Sequence, residues 1–274
     1  MKLKIAGSGG MFQIPNPFCK CPICEEARIK RGRYERLGPS LYIEDIHMLI
    51  DTPEDIAVAC DRQGISNIEY LSISHKDPDH TRGMRIVEPL GYNCITDRGT
   101  PVQFIALPGV VDDINAWNGD GLYYYENVLH CISITKTDFI KIGKIEIHLV
   151  NNKTHRGNMT FYVISDGDKK VIYACCDVKP FVFNELYYDA DILIIGLVSD
   201  DGMLKEGRAL DDAPFKDDMF TLEELLEIKH TYRIKRILIT HIDEYWGKSY
   251  AYYREFEKSL DNISFAYDGM EITL

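Results

Sequence analysis

The sequence predicts an α/β fold built as a layered sandwich. Three observations carry that prediction. Short apolar runs of strand length alternate with turns along nearly the whole chain. Amphipathic helical stretches accompany them in two β-rich halves. No Gly/Ser/Pro-rich linker divides the 274 residues, 45% of them hydrophobic, so a single domain over 1–274 is expected.

In chain order, residues 3–5, 40–43, 48–50 and 70–74 read as strands, each closed by polar or glycine-containing turns. Residues 55–62 read as a short helix stopped by Gly64. Residues 131–135 and 144–150 are further strands. Residues 160–164 and 170–175 read as a hairpin across Ser165-Asp166-Gly167-Asp168, and 191–197 as a buried strand. Thr221-Leu222-Glu223-Glu224 fits a capping box, with Leu222, Leu225 and Leu226 on one face of the helix that follows. Residues 236–240 return as a strand ending at His241, residues 245–260 read as the last helix, and a final strand follows Asp268-Gly269.

The formal net charge of −12 argues against an extended nucleic-acid surface, where phosphate neutralisation needs clustered Lys and Arg. It leaves room for a small phosphorylated substrate held by metal ions. The basic run from Arg28 to Arg36 is expected to be a solvated helix face with its exit loop. Met1-Lys2-Leu3-Lys4-Ile5 enters a strand directly, with no signal-peptide pattern, and no apolar run approaches spanning length, so a cytoplasmic protein without a membrane partner is expected. In that setting Cys19, Cys21 and Cys24, three of eight cysteines, read as metal ligands rather than disulfide partners. Cys60, Cys94, Cys131, Cys175 and Cys176 read as core residues.

Ser74-His75-Lys76-Asp77-Pro78-Asp79-His80 leaves an apolar strand and precedes Thr81-Arg82-Gly83. Its four ligand-type side chains, His75, Asp77, Asp79 and His80, can converge on one point, and Pro78 stiffens the loop between them. Imidazole nitrogen and carboxylate oxygen suit Zn²⁺, Mn²⁺ or Fe. Three partners end other strands: His155 after Val150 and a short loop, Asp177 after Cys176, and His241 after Thr240. Each alone has an ordinary reading, a capping Asp or a His bonded to the backbone. Together they bring ligands to one edge, where loops build sites.

On these residues the chain resembles the metallo-β-lactamase superfamily over nearly its whole length. Five motifs stand in order: Asp51, the cluster from His75 to His80, His155, Asp177 and His241. The resemblance implies a four-layered αββα sandwich and a hydrolase with two divalent metal ions. It places one ion on His75, Asp77 and His155 and the other on Asp79, His80 and His241. Asp177 would bridge them, and Asp51 would orient the cluster loop. The family usually has His where this chain has Asp77. A carboxylate there adds charge and hardness and tilts the site toward Mn²⁺ or Fe. Flavo-di-iron oxidoreductases of the family carry an acidic residue at this point, so a di-iron redox protein stays open.

Three thiolates on one loop, within about residues 15–30, suit a structural Zn²⁺ that needs one more donor. Gly7-Ser8-Gly9-Gly10, Ile14-Pro15, the cysteine run and the ending Tyr267-Asp268-Gly269-Met270-Glu271-Ile272 are similar to phosphodiesterases of the PhnP type, from the carbon–phosphorus lyase pathway. Proteins associated with pyrroloquinoline quinone share the N-terminal pattern more loosely. The PhnP resemblance implies a fourth zinc ligand in the loop before Thr221. This chain offers Asp217 and Asp218 there, and no His, so Asp217 is the expected ligand. The resemblance also implies a His after residues 192–197, where this chain reads Val198-Ser199-Asp200-Asp201. Asp200 therefore stands as the candidate proton donor.

Two divalent ions about 3.5–4 Å apart can share a water and lower its pKa toward neutrality. Asp79 is the candidate to accept its proton. The expected activity is metal-dependent hydrolysis of a small, phosphorylated substrate, a phosphodiester such as a cyclic one. Hydrolysis of a thioester, a lactone or an RNA end is the alternative on the same fold, and a metal-binding protein without catalysis is another. Tyr245 and Trp246 either wall the site or anchor the last helix. A homodimer rests on family analogy alone.

Overall fold

The two halves of the chain build two sheets of the same pairing pattern. The computed structural model describes residues 1–96, 99–119 and 121–274. Its first half supplies β1 (Lys2–Gly7), β2 (Ser40–Ile43), β3 (Met48–Ile50), β4 (Tyr70–Ser72), β5 (Val102–Ala106) and β6 (Ile132–Lys136). The second half supplies β7 (Phe139–Ile142), β8 (Ile145–Asn151), β9 (Thr160–Ser165), β10 (Lys170–Ala174) and β11 (Ile192–Ile195). An excursion follows, in which β12 (Val198–Ser199) pairs with β15 (Phe220–Thr221) and β13 (Met203–Leu204) with β14 (Arg208–Ala209). β16 (Arg236–Ile239) and β17 (Ile263–Phe265) complete the second sheet, and β18 (Glu271–Thr273) crosses back to the first.

The two orders are β18-β1-β2-β3-β4-β5-β6 and β7-β8-β9-β10-β11-β16-β17. Along each, three antiparallel pairings give way to three parallel ones. The change falls at β3 in one sheet and β10 in the other. Parallel neighbours need crossover segments, and these bring the helices that cover the outer faces. The result is two mixed sheets flanked by helices, the αββα sandwich the resemblance implies. Among the described residues no helix is long and apolar enough to cross a membrane.

The two sheets close on one apolar core. Ile192 to Ile195 are buried without interruption, as a strand covered on both faces requires. Tyr162 of β9 is fully buried, and its hydroxyl lies 2.8 Å from Ser72 Oγ of β4, a polar tie between the sheets. The expected strands appear within one or two residues of their predicted bounds. The helix Ile56–Gln63 ends on Gly64 at φ 66°, and Thr221 and Glu224 form both bonds of the capping box.

Three expectations are corrected. The last helix is not continuous: a turn at Glu244–Trp246 ends on Gly247 at φ 69°, and the helix Tyr250–Phe256 starts afresh with Ser249 Oγ accepting from the Tyr252 amide. Leu226 points outward, 48% exposed, whereas Leu225 of the same helix is buried. Arg36 is not solvated. Its guanidinium is buried and donates to Ser8 Oγ and the Ala266 carbonyl, both at 2.7 Å, joining the N-terminal loop to the second sheet.

Gly196, just after β11, shows how tightly the site-bearing ends are packed. A Cβ there would sit 1.8 Å from the Cys175 carbonyl oxygen and 2.6 Å from His241 Cβ. Gly196→Ala is expected to destabilise the fold by about 1–3 kcal/mol through overpacking. Chemical denaturation, with bound metal measured in parallel, checks it: stability unchanged from the parent would show that these ends are not closely fitted.

Candidate metal centre

The site forms where the pairing pattern changes, as ligand sites do in open α/β sheets. Asp51 follows β3, the loop from His75 to Thr81 follows β4, Asp177 lies just beyond β10, and His241 lies just beyond β16. Asp51, Asp177 and His241 take positive φ values of 68°, 45° and 55°. Asp and His tolerate that region better than most residues, and such geometry gathers at functional sites. Pro78 opens a single helical turn, Pro78–Thr81, that turns Asp79 and His80 inward.

Two ligand sets result. Ligand atoms of His75, Asp77 and Asp177 lie within 4.8 Å of one another, as do those of Asp79, His80 and His241. His75 Nε2 is 3.6 Å from Asp77 Oδ2, while Asp79 Oδ2 is 3.3 Å from His80 Nε2 and 3.4 Å from His241 Nε2. The His75 and His80 rings are 4.2 Å apart, so the sets adjoin. Behind them, Asp51 is fully buried. It accepts from the Ser74 amide at 2.6 Å and Ser74 Oγ at 2.8 Å, and lies 2.9 Å from His80 Nδ1. Asp243 Oδ2 stands 3.7 Å from His241 Nδ1, beyond hydrogen-bond distance. The Asp51 carboxylate on the far nitrogen of His80 fixes that ring's orientation and leaves its Nε2 facing the centre.

The buried ring nitrogens decide what the centre is for. His75 Nε2, His80 Nε2 and both nitrogens of His241 have no hydrogen-bond partner, although all three rings are buried. Unpaired buried polar atoms are costly and rare, whereas a divalent cation satisfies several at once. The field agrees. Burial opposes the charge on His75, yet Asp77 and Cys176 outweigh it and lift the pKa to about 9. Burial likewise opposes charge on His80 and His241, and their acidic neighbours override it. Burial should raise Asp79, but His80 and His241 hold it well below the usual carboxylate range. Burial and then Cys176 push Asp177 up to about 6. A pocket that draws protons onto three buried histidines is one that favours cations. His75, Asp77 and Asp177, with Asp79, His80 and His241, therefore fit two divalent ions.

Above the centre lies a pocket of about 160 Å³, lined by Asp77, Asp79, Cys176, Asp177, His241, Arg156, Asp218, Phe215, Tyr245 and others. Phe215 and Tyr245 continue into a groove of about 690 Å³ formed by the excursion from Leu204 to Phe215. Tyr245 thus walls the site.

Several expected site residues lie elsewhere. His155 is not brought to the others: its side chain is 71% exposed, with Nδ1 4.0 Å from Asp218 Oδ1. The bonded turn between Thr154 and Gly157 faces it outward and turns Arg156 in, where Nε lies 3.6 Å from Asp177 Oδ1 and an outer nitrogen 2.8 Å from Asp218 Oδ2. Asp177 takes the place beside His75 and Asp77 that His155 was expected to fill. Asp200 does not line the pocket; it bonds Tyr252. The thiols of Cys19, Cys21 and Cys24 do cluster, but Asp217 is not with them. Their neighbours are Lys205, with Nζ 3.9 Å from Cys19 Sγ, and through it the buried Glu244, whose Oε1 accepts from Lys205 and Asn16 while Oε2 has no partner. Sequence reasoning also missed Cys176, whose thiol joins His75 and His80 at the centre. Burial would raise that thiol; His241 and His75 hold it well below the usual range. Its position next to Asp177 was the available signal.

The fold and the paired ligand sets define a metal-binding αββα protein. The chain belongs to the beta-lactamase superfamily, whose domain profile matches residues 47–242. Among solved structures, a diphosphatase from the PhnP family is 19% identical, with a TM-score of 0.73 over all of this chain and 97% of that one. Zn²⁺-bound PqqB from Methylobacterium extorquens is 17% identical at a TM-score of 0.76, covering both chains in full. The short form of human tRNase Z is 17% identical at 0.63, over all of this chain and 99% of that one. These likenesses are of fold. No curated protein sequence matches the chain.

Asp51 touches His80, Ser74 and Cys175 and does not line the pocket, so its replacement acts on the centre through the residues it holds. Asp51→Asn is expected to lower active-site metal affinity by about 10–100-fold. Chelator competition measures it, and parent-like affinity would show that His80 is held by other means.

Proposed function

We propose that the chain is a metal-dependent hydrolase of small phosphorylated esters, with a phosphodiester, cyclic ones included, as its substrate class. The observation that carries this reading is the pair of adjoining ligand sets with unpartnered buried histidine nitrogens. Family membership supports the same assignment to metal-dependent hydrolases. Two divalent ions bound there would supply Lewis acidity and a water of lowered pKa.

The chain's own residues do the rest. Asp79 is held ionised between His80 and His241, a setting suited to ligation more than to proton uptake. Among the described residues Arg156 is the one guanidinium or ammonium lining the pocket, in a chain of net charge −12. Its fork suits the oxygens of a phosphoryl group, and carboxylates keep it aimed inward. The pocket's size fits a small substrate, with the adjoining groove to take a leaving group. One fold relative is a diphosphatase, in keeping with phosphoryl chemistry. Asp77 in the first set is the feature that favours a di-iron redox protein instead. Iron on metal analysis, with a visible absorption band, would support that reading.

Turnover of bis-p-nitrophenyl phosphate is expected with Zn²⁺ or Mn²⁺, to be lost in Asp177→Ala and in Asp79→Ala. Arg156→Ala should raise KM about tenfold or more, the worth of one charge-assisted bond, with kcat changed less. Turnover of thioesters or lactones in the same panel, without the phosphodiester, would overturn the substrate class.

Cys19, Cys21 and Cys24 are proposed to hold a structural zinc, with the free oxygen of Glu244 as fourth donor once Lys205 moves aside. Glu244→Ala should lower the zinc content or the affinity of the cysteine site, and Asp217→Ala should not. Zinc retention at full affinity in Glu244→Ala would return the fourth ligand to the loop before Thr221.

A further inference from the structure

We infer that Cys176 is itself a ligand of the active-site metal held beside His75 and His80, which makes the centre a mixed nitrogen, oxygen and sulfur site selective for zinc over manganese. The inference rests on the two-set metal centre proposed above and adds a donor to it.

The geometry starts in β10. Successive residues leaving a strand point to opposite sides, and the tandem Cys175-Cys176 divides in that way. Cys175 Sγ turns behind the centre and donates to Asp51 Oδ2 at 3.5 Å. Cys176 Sγ turns into it, where it lines the pocket with Asp77, Asp79, Asp177 and His241. Its sulfur and one ring nitrogen each from His75 and His80 lie within 4.8 Å of one another, all three residues buried. That spacing puts the sulfur within ligand reach of an ion held on either ring.

A buried cysteine is ordinarily a small apolar residue. Cys60, packed among side chains of the core, is of that kind. Cys176 differs in what it faces: His75 Nε2, His80 Nε2 and both nitrogens of His241 are buried and unpartnered around it. An ion that satisfies those nitrogens has the sulfur within reach. Thiolate is a soft donor and favours zinc, cadmium and cobalt over manganese, which prefers carboxylate and water. Asp77 hardens the centre relative to a histidine, and Cys176 softens it again.

Cadmium-113 NMR on the full-length, cadmium-loaded protein tests this, because each thiolate donor moves the metal resonance downfield. The loop of Cys19, Cys21 and Cys24 provides a three-thiolate resonance far downfield, and it serves as an internal check on folding. A second resonance is expected at the position of a single thiolate among nitrogen and oxygen donors. It should move upfield in Cys176→Ser and Cys176→Ala while the loop resonance stays. In competition experiments the preference for Zn²⁺ over Mn²⁺ should narrow by about tenfold or more in the same variants. Active-site resonances that all lie in the nitrogen–oxygen range in the parent protein would overturn the inference without recourse to any variant, as would active-site resonances all unmoved by Cys176→Ser. The two-set reading fails separately, by the absence of any active-site resonance in the parent.

Discussion

The structure depends most on one buried carboxylate. Asp51 has no exposed surface, yet it accepts hydrogen bonds from Ser74 and Cys175 and meets His80 Nδ1. Asp51 itself follows β3, and those partners come from the loop after β4 and from the end of β10, so one side chain ties the first sheet to the second at the level of the ligands. Ser40 Oγ, bonded to the Asp51 carbonyl, extends the tie to β2. A buried charge is tolerated only when it is paired and hydrogen-bonded, and here every bond it makes also places a ligand or its neighbour. The N-terminal glycine loop does the same on the other side. Gly10 lies so close to Asp243 that a Cβ would meet the carboxylate at 1.9 Å, and Asp243 in turn faces His241.

The repetition of one sheet pattern explains why the ligands gather where they do. At β3 and at β10 the chain changes from antiparallel to parallel pairing, and the strand ends on that side are left without a hairpin to cover them. Crossover connections must leave from these ends, which frees the first residues beyond each strand to face a shared crevice. Asp51 and Asp177 occupy corresponding places in the two halves, and both adopt positive φ. One has become the buried brace and the other a residue of the open site. The difference follows from what lies above them: the 75–81 loop covers Asp51, while Asp177 opens to the pocket under Arg156 and Asp218.

Much of this was legible in the sequence, and the parts that were not share a cause. Alternating apolar runs gave the strands, and four ligand types in six residues after a strand gave the heart of the site. Asp177 and His241 followed because each ends a predicted strand, and Asp51 followed from the family resemblance. The failures lie where a side chain's direction is set by a turn or by distant packing. His155 faces solvent because a four-residue turn rotates it outward, and that turn's effect on Arg156 has no signature in composition. Asp217 was chosen by nearness to Thr221 in the chain, whereas the thiols are approached by Glu244, three residues after His241, through Lys205 and Asn16. Asp200 lies beyond β12, whose pairing with β15 leaves it with Tyr252 and outside the pocket. Cys176 was assigned to the core on its residue type, when the alternation of the strand before it put it on the ligand side.

The charge balance of the centre gives the last constraint. Asp77, Asp79 and Asp177 face it, with Asp51 and Asp243 behind, and among the described residues Arg156 is the only permanent cation at the pocket. In such a field the histidines bind protons tightly when no metal is present, so each ion that enters must displace protons as well as water. The arrangement therefore couples occupancy to pH, through the number of protons released per ion. It also explains why so acidic a protein can still attract an anionic substrate. Two divalent ions and Arg156 offset the carboxylates around the pocket while the rest of the surface stays negative. Binding of a phosphoryl group is then tied to metal occupancy, and the apo chain has little electrostatic reason to take it up.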